Sequence, residues 1–203
     1  MILETHTRNL KLKKKRSKKT PIIEEFEPIP AVTVTVVGEC GVGKSSILRR
    51  FRNASFLEEY YCTHGVERSQ ALVDKPNSFH VSKKLVLQFL DTNDIFLDPS
   101  MCTTIQDHVD ALHASFSNFV LVVYDVTDHS SFIEAKAWLK VVKSMLVGAA
   151  TLILVGNKSD DEKHREVHRT AGEVLASLHG MKFVEVSAKD ETNISALLQL
   201  LTH

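Results

Sequence analysis

After Pro30 the chain alternates between two spacings of apolar residues. Short apolar or alternating runs at residues 32–37, 69–73, 85–90, 119–125, 151–155 and 182–186 predict strands. The runs Phe119-Val120-Leu121-Val122-Val123 and Leu152-Ile153-Leu154-Val155 are continuously apolar, the pattern of strands covered on both faces. Between the runs, apolar residues recur three and four apart, which predicts helices. One stripe is Phe132, Ala135, Leu139, Val142 and Leu146, with Trp138 beside it as core. A second is Ala171, Val174, Leu175 and Leu178, a third Ile194, Leu197, Leu198 and Leu201, and a fourth Ile105, Val109, Leu112 and Phe116. Ser46 to Phe51 reads as a further helix opening. Strands alternating with helices predict an α/β fold, a mostly parallel sheet with helices on both faces. Ligands of such sheets sit outside the carboxyl ends of the strands. Gly38, Asp91, Asp125 and Asn157 fall at such ends.

Composition adds an appendage to this plan. The chain has 203 residues, 43% hydrophobic and 25% charged, which suits one domain with an extension. The net charge is zero but unevenly spread: residues 1–30 hold eight basic and four acidic side chains, the remainder 17 and 21. Residues 1–30, with their lysine run and with Pro21, Pro28 and Pro30, cannot bury enough apolar surface to offset ordering entropy. They are expected to be a disordered extension, and residues 31–203 the folded domain. Three readings of the basic run 11–19 stay open: a solvated tail, a nuclear import signal, or a weak contact with acidic lipids. Nucleic-acid binding is not expected, because the folded part is acidic and no aromatic residue interrupts the lysines. Cys40, Cys62 and Cys102 are odd in number and lack metal-ligand spacing, as expected of reduced cytoplasmic thiols. No apolar run approaches the roughly 18–20 residues of a membrane span, and no signal peptide is visible.

The chemistry concentrates in three loops. Gly38-Glu39-Cys40-Gly41-Val42-Gly43-Lys44-Ser45 reads G-x-x-x-x-G-K-S between a predicted strand and a predicted helix, the context of a phosphate-binding loop. The loop backbone of Gly38, Cys40, Gly41, Val42 and Gly43, continuing into Ser46, can turn its N–H groups inward as a nest for phosphates. The helix N-terminus reinforces it. Lys44 can reach the terminal phosphates and Ser45 can offer its hydroxyl to Mg²⁺. The plainer alternative is a glycine turn leading into a core helix. Asn157-Lys158-Ser159-Asp160 follows a buried strand, where an aspartate can accept from both N1–H and the 2-amino group of guanine. Adenine offers neither donor and would leave the carboxylate unpaired. Ser187-Ala188-Lys189 follows the last strand, and its backbone N–H can face the guanine O6.

With these motifs in this order, the chain resembles the small GTPases, and the Rab branch of the Ras superfamily in particular, over roughly residues 32–201. Val123-Tyr124-Asp125-Val126-Thr127-Asp128, Ser131-Phe132 and Trp138-Leu139 carry the Rab likeness. The resemblance implies a six-stranded sheet with five helices, in which residues 69–73 form the antiparallel strand. It implies guanine contacts from Phe56, Asn157, Lys158, Asp160, Ser187, Ala188 and Lys189. It implies GTP or GDP as ligand, with Mg²⁺ held by Ser45 and Thr63 and, through water, by Asp91. Thr63 would also meet the γ-phosphate through its backbone, and Tyr60 would cover the phosphates. Effectors or regulators would bind through residues 54–68 and 91–118.

The chain departs from that family where catalysis should lie. Asp91-Thr92-Asn93-Asp94-Ile95 stands where the family has Asp-x-x-Gly-Gln. Asp94 lacks the freedom of glycine and brings negative charge toward the γ-phosphate. Ile95 has no side-chain hydrogen bond with which to orient water. No glycine lies between Gly65 and Gly148, so no realignment restores the motif. Residues 96–100 read as an insertion, and Lys75-Pro76-Asn77-Ser78 as a hairpin turn. His64 and Glu67-Arg68 also depart from the Rab effector surface, and Cys40 occupies a position that Rab proteins fill with a small side chain. Slow hydrolysis is therefore expected, with a preference for GDP or a group supplied by a partner left open. The alternative is a pseudo-GTPase scaffold that docks partners on residues 91–118 without a nucleotide cycle. No cysteine follows Cys102 and Ile2 follows Met1, so neither prenylation nor N-myristoylation is expected of this sequence. The short terminal helix leaves open whether the chain continues past His203.

Overall fold

The computed structural model describes residues 29–59, 66–75, 83–92 and 116–202. In chain order these form β1 (Ala31–Val37), α1 (Lys44–Phe51), β2 (Val66–Lys75), β3 (Lys83–Thr92), β4 (Phe119–Asp125), α2 (His129–Met145), β5 (Thr151–Asn157), a 3₁₀ turn (Glu162–His164), α3 (Arg169–His179), β6 (Lys182–Glu185) and α4 (Ile194–Leu200). The strands make one six-stranded sheet in the order β2-β3-β1-β4-β5-β6. Only the β2–β3 pair is antiparallel, running in register from Val66 opposite Thr92 to Lys75 opposite Lys83.

Each central strand is apolar on both sides because both sides are covered. Val34, Val36, Leu121, Val123, Ile153 and Val155 pack with Ile47, Leu48 and Phe51 of α1 and with Ile194 and Leu197 of α4. The alternate residues Val37, Val120, Val122, Tyr124 and Leu154 pack with Phe132, Ala135, Leu139 and Val142 of α2 and with Leu175 and Ala176 of α3. β1 is flanked by β3 on one side and β4 on the other, so the chain diverges at its carboxyl end. Such a switch point leaves a crevice for a ligand.

Three differences from the sequence pattern have physical causes. β2 and β3 run beyond their apolar cores, because a hairpin ladder needs only backbone pairing and tolerates polar side chains at a sheet edge. Lys84 and Asp74, opposite each other, pair at 2.6 Å there. Val174 and Leu178 are exposed rather than core, at 58% and 77%. The inward face of α3 is instead Gly172, Leu175 and Ala176. A methyl group on Gly172 would meet the Phe183 ring at 2.5 Å and the Tyr124 hydroxyl at 2.7 Å, so the helix seats on these rings through its smallest residue. Third, Trp138 is half-buried at the margin of the α2–α3 core. Four α-helices lie among the described residues. The stripe Ile105, Val109 and Leu112, the turn Pro76-Asn77-Ser78, and residues 1–28 lie outside them. No helix among the described residues is long and apolar enough to cross a membrane.

The start of α2 is fixed by Asp128, whose carboxylate accepts from Ser130 N (2.8 Å) and Ser130 Oγ (2.7 Å). These bonds, the hydroxyl's first, hold the carboxyl below the ordinary range. A depressed acid stabilises the fold above its unfolded value of about 3.9, and that contribution is lost as pH falls through its lower folded value. Asp128→Ala should therefore cost about 1 kcal/mol at neutral pH, and the gap from wild type should close as urea unfolding is repeated at progressively lower pH. A gap independent of pH would remove the charge from this account.

Candidate functional site

The loop between β1 and α1 is shaped by two glycines that nothing larger can replace. Gly38 has φ 143°, and a Cβ there would fall on the Val123 carbonyl oxygen. Gly43 has φ 94°, caps α1, and a Cβ there would fall on the Asn157 side-chain amide. Both conformations are ones that L-residues avoid. Lys44 is buried, and its ammonium folds back over the loop to donate to the carbonyls of Gly38 (2.7 Å) and Glu39 (2.8 Å). A buried positive charge is thus held over the loop at a helix N-terminus, a place that attracts oxyanions.

Ser45 and Asp91 meet beside it. Ser45 Oγ donates to Asp91 Oδ2 at 2.5 Å, while the other carboxylate oxygen, Oδ1, is buried without a hydrogen-bond partner. Burial pushes the Asp91 carboxyl above the ordinary range, opposed by the Ser45 hydrogen bond and the Lys44 charge. An orphaned carboxylate oxygen next to a hydroxyl is the donor set of a hard cation or of the water on one. The next residue, Thr92, is locked by its hydroxyl to Val36 O (2.8 Å).

The other two loops converge on the same edge through Asn157. Its Nδ2 donates to Val42 O (2.8 Å) and its Oδ1 accepts from Ala188 N (3.2 Å), so one buried amide ties the phosphate-type loop to the turn after β6. Asp160 accepts from Ser187 Oγ (2.6 Å), and Ser187 Oγ in turn accepts from Lys189 N and Asp190 N, each at 3.2 Å. Lys158, at φ 64°, pairs with Asp125 at 2.6 Å. The structure therefore brings Gly38, Cys40, Gly41, Val42, Gly43, Lys44, Ser45, Ser46, Asp91, Asn157, Lys158, Asp160, Ser187, Ala188 and Lys189 to the carboxyl edge of the sheet. Cys40 is exposed there. Phe56 is half-buried and packs on the α1 side of the core. Tyr60, Thr63, His64, Asp94 and Ile95 lie outside the described residues.

Sequence reading missed the residues that hold these loops. Arg165 makes a two-fold contact with Glu185 (2.9 and 3.2 Å) and another with Glu162, while also donating to Val167 O. Arg165 follows the Asp160 loop and Glu185 precedes the Ser187 turn, so the pair fixes one base-side loop against the other. The two are 20 residues apart, and no local spacing announces them. Arg50, read only as part of a helix opening, also reaches the Ser187 turn.

A phosphate-type loop at the switch point, a Ser–Asp pair beside it and two further loops on the same strand edge define a P-loop G-domain. A sequence model of the Ras family matches residues 33–203. Ras-related protein RIC1 of Oryza sativa subsp. japonica is 35% identical over 162 residues, 78% of this chain and 72% of that protein. Ras-related protein RabC of Dictyostelium discoideum is 34% identical over 171 residues, 83% and 80% of the two chains. Ras-related protein Rab-12 of Homo sapiens is 30% identical over 187 residues, 90% and 68% of the two. The chain belongs to the Ras family, as a Rab-like small GTPase.

The side chains of Arg165 and Glu185 are only 12% and 5% exposed. Arg165→Met, which leaves a buried carboxylate unpaired, should cost about 3–5 kcal/mol in urea unfolding. Adding Glu185→Leu should recover much of that loss. A single variant within about 0.5 kcal/mol of wild type would show that the pair holds nothing.

Proposed function

We propose that this chain binds GTP and GDP with Mg²⁺ as a Rab-like switch and hydrolyses GTP slowly. The observation that carries the binding reading is the convergence of Lys44, the Ser45–Asp91 pair and the Asn157-centred loops on one edge of the sheet. In this reading the backbone of residues 38–46 cradles the phosphates, and Lys44 turns from its two carbonyls toward the terminal phosphate oxygens. Ser45 takes the metal through its hydroxyl and Asp91 through a bound water that satisfies its orphaned oxygen. Thr63 completes that set. Bound Mg²⁺ neutralises charge on the phosphate oxygens. Asp160 accepts from guanine N1–H and its 2-amino group, releasing the Ser187 hydroxyl, and Ala188 N–H faces O6 from the place that Asn157 sets. Lys158, Lys189 and Phe56 flank the base.

Slow hydrolysis rests on Asp94 and Ile95, which stand in the third loop where water must be aligned. Residues 54–68 and 91–118 are the surfaces on which effectors or regulators would read the nucleotide state.

The nucleotide content of the purified protein, by denaturation and anion exchange, tests binding directly, and single-turnover hydrolysis tests the rate. Stoichiometric nucleotide is expected, with hydrolysis at least about tenfold slower than in an Asp94→Gly/Ile95→Gln double variant. Wild type as fast as that variant would reject the slow-enzyme reading. An empty site that takes up no labelled GDP would reject the switch and favour a scaffold.

A further inference from the structure

We propose that Arg50 is a positioning residue for guanine recognition, holding the base-reading turn to the helix that carries the phosphate-side groups. This rests on the nucleotide reading above. Arg50 lies in the last turn of α1, with its side chain 12% exposed. All three arms of its guanidinium are used on one turn. Nε donates to Ala188 O at 2.6 Å, Nη2 to Lys189 O at 2.7 Å, and Nη1 pairs with Glu191 Oε1 at 2.6 Å. A planar fork that meets two successive carbonyls fixes both peptide planes, which a single ammonium cannot do.

The turn needs such a hold. Glu191 and Asn193 both adopt left-handed backbone angles, φ 68° and 57°, which are unfavourable for residues with a Cβ. Asn193 is tied down by its own amide on Glu185 O (2.9 Å). Glu191 is tied down by Arg50. The Ala188 N–H, the group that would read O6, reaches Asn157 only at 3.2 Å, the long end of the hydrogen-bond range. The two peptide planes that follow the Ala188 Cα are the ones Arg50 grips, so that side of the residue is held from α1.

Lys44, Ser45 and Arg50 sit on the same eight-residue helix. At 1.5 Å per residue, the ammonium-bearing end and the clamp lie about 9 Å apart on one rigid element. The spacing between the phosphate cradle and the O6 donor is thereby built into α1, independently of the sheet that connects their loops.

Competition titrations of labelled GDP on the full chain separate this role from general stability. The probes are GDP, IDP, which lacks the 2-amino group assigned to Asp160, and 6-thio-GDP, which replaces O6 with a weaker acceptor. Arg50→Ala should weaken GDP about tenfold, leave the IDP-to-GDP ratio unchanged, and shrink the 6-thio-GDP-to-GDP ratio toward one. Arg50→Lys keeps the stem and charge and should show the same selective change at smaller size, which serves also if Arg50→Ala fails to fold. Equal weakening of all three nucleotides, or none, in a wild type that binds GDP would overturn the positioning role alone. A wild type that binds none of the three would overturn the nucleotide reading and this role with it.

Discussion

The site depends on one buried carboxamide. Asn157 sits at the end of β5, 2% exposed, and uses both ends of its side chain on other loops. A buried amide left unpaired costs more than the same amide paired contributes. The Val42 carbonyl and the Ala188 N–H are therefore drawn to fixed places relative to β5. The backbone of Asn157 adds a third tie by accepting from Val126 N (3.0 Å), which anchors the loop after β4. Gly43 is glycine for the same reason, since the space a Cβ would need is already occupied by this amide. Replacing either residue disturbs the phosphate-type loop and the base-side turn together, although they lie more than a hundred positions apart.

Around that centre, charged groups hold loops that apolar packing does not reach. Asp125 divides its two oxygens between Thr127, which it caps, and Lys158. Arg165 and Glu185 bridge the segment before α3 and the end of β6. Arg50 does the same from α1. Pairs of this kind, each with a largely buried partner, contribute less to net stability than the packing beneath them, because removing their hydration offsets much of the attraction. Their value is geometric: each fixes a loop end by two or three directed bonds. Tyr124 shows the limit of such provision. Its hydroxyl is buried under α3 without a hydrogen-bond partner, and burial together with the Glu185 charge pushes its ionisation up, so it stays neutral and serves as packing.

How much of this was legible follows from whether an interaction is local. The strands were visible because a strand covered on both faces must be apolar at every position, as at residues 119–123. The phosphate-type loop was visible because glycine, lysine and serine must occur at fixed offsets to close it. Val174 and Leu178 were misplaced because the stripe on α3 was read from apolarity alone. The helix is seated by Gly172 against two aromatic rings, and glycine carries no hydrophobic signal. Arg50 and Arg165 were invisible for a different reason. An arginine on a helix, like Arg50, or in a loop, like Arg165, reads as solvated, and the carbonyl and carboxylate they reach lie 138 and 20 residues away. Sequence spacing located the loops but not what holds them in position.

Asp91 lies in the ladder between Val36 and Glu67, and Thr92 closes its hydroxyl on the Val36 carbonyl. Among the described residues, Lys44 is held by Gly38 and Glu39, Ser45 by Asp91, Asn157 by Val42 and Ala188, and Asp160 by Ser187. On the reading proposed above, Asp94 and Ile95 act on the γ-phosphate side, while these groups take the rest of the nucleotide. In that reading, binding and hydrolysis fall on different segments of the chain. Asp94 and Ile95 stand where the family resemblance leads one to expect glycine and glutamine, while the motifs at residues 38–45, 157–160 and 187–189 are intact.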